Sequence, residues 1–150
     1  PDAFFNIDLK APGATAPLAA LLAERGAQQR VCVSSFAPER IGAFRRLAPE
    51  VATGLSKIAV VVLWLGLPLL TRCVRGQAAQ VPERFLGGRL RLVTRRFVRT
   101  AHRNGIRVHV WTVNDPPAMD ALLELGVDGI VTDQPDVLRA VLEQRGLWKE

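Results

Sequence analysis

A parallel α/β fold is the class this chain predicts, and three observations point to it. Short apolar runs alternate with helical patterns along most of its length. The clearest example is Ile106 to Pro135, where an apolar strand, a helix and a second apolar strand follow one another. In that stretch the polar groups gather where each strand hands over to its loop, at Trp111-Thr112-Val113-Asn114 and again at Thr132-Asp133. Parallel α/β folds build their active sites along that edge.

The elements follow in order. Phe4 to Leu9 reads as a strand, ended by Lys10 and the breaker pair Pro12-Gly13. Ala16 to Arg25 is an Ala/Leu helix with Leu18, Leu21 and Leu22 as its apolar positions and Gly26 as its stop. Arg30 to Ser34 is a short strand, and Pro38 to Leu47 a helix with proline in its first turn. Val51 to Gly54 is a further strand candidate. Ile58 to Leu70, IAVVVLWLGLPLL, is nearly all apolar and lies between Lys57 and Arg72. It falls short of the roughly 20 residues a membrane span needs, and Pro68 interrupts it. The expectation is a buried or partly buried helix over the sheet, with an interfacial segment resting on lipid as the competing reading.

Ala78 to Val81 is a brief strand that ends at Pro82. Thr94 to Asn104 is a helix with Phe97, Val98 and Ala101 on its apolar face. The remaining units are strand 106–111, helix 116–125, strand 128–132 and helix 135–145, with Gly126 and Gly146 closing the helices. Doubly wound sheets and (β/α)8 barrels both accommodate this order. No GxGxxG joins a strand to a helix, and polar residues recur at every strand end, which favours the barrel. With 150 residues against roughly 250 for a whole barrel, the chain reads as part of one.

Composition narrows the function classes. Hydrophobic residues make up 49%, enough for a packed core. The net charge is +6, carried mostly by arginine, because Lys10, Lys57 and Lys149 are the only lysines. The arginines are scattered over helices without aromatic interleaving, so they read as solvated faces and no nucleic-acid partner is expected. Cys32 and Cys73 belong to no CxxC pair or zinc spacing, and Cys32 is expected to be a buried thiol. The chain opens on a finished strand without a signal-peptide pattern, so it is expected to begin partway through a domain. A compartment is not encoded; cytoplasmic or membrane-peripheral placement is the expectation. Unpaired sheet edges would make the isolated chain self-associating.

Three blocks read together: FNIDLK at 5–10, VCVSSF at 31–36, and VHVWTVN…LGVDGIVTDQP at 108–135. The pattern resembles the glycerophosphodiester phosphodiesterase family, especially its Arg- and Ala-rich actinobacterial forms, over nearly the whole chain. It corresponds to the C-terminal portion of that family's (β/α)8 TIM barrel. The resemblance implies a phosphoric diester hydrolase of lipid metabolism. Such enzymes use a divalent metal, Ca2+ or Mg2+, to hydrolyse glycerophosphodiesters to an alcohol and glycerol 3-phosphate. A hard cation of this kind takes oxygen ligands and neutralises charge on phosphoryl oxygens.

Residue by residue, the resemblance carries over only in part. Asp8 falls where the family has a glutamate metal ligand and is one methylene shorter; a salt bridge to Lys10 is its competing role. Lys10 matches the lysine of that strand and suits a phosphate oxygen. Trp111 matches a tryptophan at the barrel mouth and is expected to line the pocket for the glycerol moiety. The family's His-Arg-Gly, Glu-x-Asp and His-Asp motifs are absent, and the two histidines, His102 and His109, sit in no such motif. No catalytic residue is therefore assigned, and the chain by itself is expected to be inactive. A phosphate- or headgroup-binding barrel fragment, or pseudoenzyme, is the alternative reading. Ser35 is expected to cap a loop or helix, Asn114 and Asp115 to cap the helix at Pro116, and Asp133 and Gln134 the helix at Pro135. His109, between two valines, is expected to be a core or rim histidine.

Overall fold

A computed structural model describes residues 3–71, 73–85 and 88–148. The chain is α/β and divides into two compact units, 1–79 and 80–150.

The first unit carries a parallel three-stranded sheet in the order β1-β2-β3, from Phe5–Asp8, Val31–Ser34 and Ala52–Thr53. Helix α1 (Thr15–Glu24) connects the first two strands and α2 (Pro38–Leu47) the next two. The register places Asn6 beside Cys32, Asp8 beside Ser34, and Val33 beside Thr53. Because strand side chains alternate, this register divides the sheet into two faces. Val31 and Val33 are buried in a core with Leu22 of α1 and with Ile41 and Phe44 of α2. Asn6, Asp8, Cys32 and Ser34 belong to the other face. Cys32 is half-buried rather than sealed in the core, and burial pushes its thiol pKa up. Cys32 and Cys73 are not joined by a disulfide.

The apolar run after β3 forms two short helices, α3 (Lys57–Leu65) and α4 (Pro68–Thr71). Ser56 caps α3 by accepting from the Ala59 N–H at 3.3 Å. Gly66 ends it in the left-handed region (φ 66°), which a side chain would resist. The expectation of a sheet-covering helix holds on one side only. Leu63 is completely buried, whereas Ile58, Val61 and Leu65 are exposed. No helix among the described residues is long and apolar enough to cross a membrane.

Strand β4 (Ala78–Pro82) starts in the first unit, where Ala78 bridges Gly54 in parallel. In the second unit the sheet order is β4-β7-β8, with β7 at Arg107–Trp111 and β8 at Gly129–Ile130. A small antiparallel hairpin, β5 (Arg84–Phe85) and β6 (Leu90–Arg91), interrupts the alternation and was not anticipated from the sequence. Helices α5 (Arg95–Arg103), α6 (Pro116–Leu125) and α7 (Pro135–Gln144) complete the unit. Val108 and Val110 of β7 are fully buried, while His109 and Trp111 on its other face are half-buried.

Candidate functional site

The groups singled out by sequence stand at the C-terminal ends of the parallel strands, in each unit separately. In the first unit Asp8 is the last residue of β1, and Leu9 continues the pairing by donating its N–H to the Ser34 carbonyl at 2.8 Å. Lys10 follows on the same side as Asp8, and its Nζ lies 3.5 Å from the Asp8 Oδ2. The Lys10 side chain is 84% exposed, so this ion pair stands in water and an anion can displace it at little cost. Arg40, in the first turns of α2, donates to the Lys10 carbonyl and tethers the same loop.

Next to Asp8, β2 ends at Ser34 and Ser35. Ser35 is buried; its hydroxyl donates to the Leu9 carbonyl at 2.8 Å and accepts from the Ala37 N–H at 3.3 Å. Ser35 therefore pins the loops after β1 and β2 together, a loop-capping role, while the α2 N-cap residue is Ala37. At the end of β3, Gly54 leaves room for Ser34: a Cβ there would lie 2.9 Å from the Ser34 Cβ. Thr53 donates its N–H to Gln77 Oε1 at 2.8 Å, and its hydroxyl oxygen accepts from Arg45 Nε at 2.8 Å. Arg45 also reaches the carbonyls of Gly54 and Arg75 at 2.9 and 2.8 Å, binding the segment before β4 to the strand end. Burial, and then Arg75, lower its pKa.

In the second unit β7 ends at Trp111, whose indole is half-buried, and the Trp111–Thr112 peptide is cis. Asn114 does not cap α6. Its Oδ1 accepts from the Thr132 hydroxyl and the Asp133 N–H, both at 2.9 Å, and its Nδ2 donates to Asp133 Oδ2 at 3.1 Å. The cap is Asp115, which accepts from the Ala118 N–H at 3.0 Å. Asp133 is thus held by Asn114, and Gln134, at the N-cap of α7, makes no side-chain cap bond. The sequence expectation of capping fails for Asn114, Asp133 and Gln134 because the two loops are joined sideways to each other.

The histidines stand apart from these strand ends. His102 is on α5 and pairs with Asp128 at 2.8 Å. His109 faces Gly129 across the β7–β8 pair, where a Cβ would come within 2.9 Å of its ring. Burial lowers the His109 pKa, Asp128 partly restores it, and Arg107 lowers it further. Neither histidine ends a strand.

A divalent cation would need several oxygen ligands. Asp8 can offer one carboxylate, with the Asn6 amide and Ser34 hydroxyl on the same face of the sheet. Among the described residues no three His, Cys, Asp or Glu side chains converge to hold a metal ion. The described donors thus fall short of a complete cation site.

Comparison with known proteins places these strand ends in a family. Residues 9–137 match the model of the glycerophosphoryl diester phosphodiesterase family. A protein of Mycobacterium tuberculosis named "Probable glycerophosphodiester phosphodiesterase 2" is 37% identical, over 99% of this chain and 58% of its own length. A solved structure from Silicibacter pomeroyi, a glycerophosphoryl diester phosphodiesterase by name, superposes with a TM-score of 0.71 at 27% identity. That match covers 97% of this chain and 52% of the other. An Oleispira antarctica phosphodiesterase, solved with the product sn-glycerol-3-phosphate, shares the fold at a TM-score of 0.65 and 17% identity, over 95% of this chain and 56% of its own. The chain therefore spans little more than half the length of the relatives it matches. On the family match, the identity and the superposition, the chain is part of a (β/α)8 barrel and belongs to the glycerophosphoryl diester phosphodiesterase family.

Proposed function

We propose that this chain supplies part of the substrate- and metal-binding edge of an enzyme that hydrolyses glycerophosphodiesters to an alcohol and glycerol 3-phosphate. The observation that carries the reading is the family match across residues 9–137, joined to a strand β1 that ends in an exposed carboxylate and ammonium. The product-bound Oleispira antarctica relative supports a small phosphorylated glycerol as the ligand class.

In this reading each residue has a separate role. Asp8 would contribute one oxygen to a divalent cation, Ca2+ or Mg2+, which when bound would draw charge from the phosphoryl oxygens. Lys10 leaves its weak pair with Asp8 and places its ammonium on a phosphate oxygen. Trp111 offers a flat apolar wall to the glycerol carbons. Ser35, Arg40 and Asn114 keep the loops that carry these groups in place.

Proton transfer is not among the roles assigned. General acid–base work on a phosphodiester needs a group within hydrogen-bond reach of the reacting oxygens. His102 is committed to Asp128, and His109 lies inside β7. In this reading neither imidazole of these 150 residues serves the reaction, and the chain alone is proposed to be non-catalytic.

A hybrid tests the assignment, with these 150 residues replacing the matching stretch of the Mycobacterium tuberculosis relative. Hydrolysis of glycerophosphocholine by the hybrid is expected, with Asp8→Asn and Lys10→Ala lowering kcat/KM by at least about tenfold. Trp111→Ala is expected to act mainly through KM. An active hybrid indifferent to Asp8→Asn and Lys10→Ala would refute the assigned roles.

A further inference from the structure

We infer that the α3–α4 segment docks the protein onto an anionic lipid surface. The segment is apolar and faces outward. Ile58 and Leu69 are 71% and 79% exposed, and Val61, Leu65, Leu67 and Leu70 are also uncovered. On α3, positions 58, 61 and 65 recur at helical spacing and form one stripe, with Leu63 turned to the interior. Gly66 breaks the run after nine helical residues, so the pair of helices is too short to enter a bilayer end-on and suited to lying in its interface.

Charge selects the occupant. From Val51 to Pro82 there is not one aspartate or glutamate, whereas Lys57, Arg72 and Arg75 are all cationic. Lys57 opens α3, its ammonium 5.2 Å over the ring of Phe36 and exposed to solvent. Exposed apolar side chains beside the exposed Lys57, in a stretch of sequence that carries cations and no carboxylate, match the headgroup layer of an anionic membrane. A second protein surface would have to bring its own carboxylates to this border. A lipid surface presents negative charge at every point and needs no register. Helix α3 follows the C-terminal end of β3 in the chain. The inference is independent of the catalytic reading.

Flotation of the chain with vesicles tests it, comparing phosphatidylcholine alone with a mixture containing phosphatidylglycerol. Binding to the anionic vesicles is expected, weakening as salt is raised and falling about tenfold or more in Leu69→Asp and in Ile58→Asp. Both positions are exposed, so circular dichroism and the unfolding midpoint should match the parent chain. Lys57→Gln, with the apolar face intact, should cost about fivefold on anionic vesicles and little on neutral ones. Asp8→Asn should leave vesicle binding unchanged. Failure to bind anionic vesicles, or binding that ignores Leu69→Asp and Ile58→Asp, would overturn the proposal. So would a chain that ignores vesicles and sediments as a dimer dispersed by those substitutions.

Discussion

Asn114 and Asp133 grip each other twice: the Asn114 amide donates to the Asp133 carboxylate at 3.1 Å, and the Asp133 N–H donates back to the Asn114 Oδ1 at 2.9 Å. With the Thr132 hydroxyl on the same Oδ1, the loop after β7 is locked to the loop after β8. Only an amide satisfies both partners, because one end must donate and the other accept. Asn114→Ala is expected to cost about 1–2 kcal/mol, read as a lower denaturant midpoint. Asn114→Asp should be worse at neutral pH, since it sets two carboxylates against each other.

Asp115 is the cap that the second proline-led helix lacks. Its carboxylate accepts from the Ala118 N–H at the positive end of α6. Asp115→Ala is expected to lower stability by about 1 kcal/mol, and Asp115→Asn by less. Gln134→Ala, at the matching position of α7 where no cap bond exists, should be close to neutral by the same denaturation measurement.

Gly54 is required by its neighbour across the sheet. A methyl at this position would stand 2.9 Å from the Ser34 Cβ, closer than two carbons tolerate. Gly54→Ala should destabilise by about 1–3 kcal/mol, and the double variant with Ser34→Gly should recover much of the loss. A thermal-unfolding double-mutant cycle measures the coupling.

His109 gives the fold a pH dependence of known sign. Burial is the main cause that depresses its folded pKa below the ordinary value of 6.5. As pH falls below that value the unfolded chain takes up the proton first. Stability contributed above that value is therefore lost as pH drops toward the folded pKa. His109→Gln should flatten this part of the stability profile, checked by denaturant midpoints between pH 7.5 and 5.

Much of this architecture is written in local signals. Helices α2 and α6 begin where Pro38 and Pro116 place them, and α6 ends at Gly126, because proline at the first turn and glycine past the last are local effects. The Asp8–Lys10 pair is equally local, since residues two apart in a strand share a face. The Asn114 network was not legible, because it joins residues 18 and 19 positions apart. The signal that could have found it is the matching offset of Asn114 and Thr132-Asp133 past two neighbouring strand ends. The β5–β6 hairpin was missed because its strands are two residues long, too short for alternation to show. Along α3 the uniform apolarity of the run concealed which side faces out; only packing distinguishes Leu63 from Ile58.

Glycerophosphocholine hydrolysis by the purified chain, supplied with Ca2+ or Mg2+ and set beside the hybrid described above, tests the central claim most directly. The chain alone should show no turnover above the uncatalysed background while the hybrid turns over. Robust release of choline by the isolated 150 residues would contradict the account, since it would place an acid–base pair among side chains to which none has been assigned.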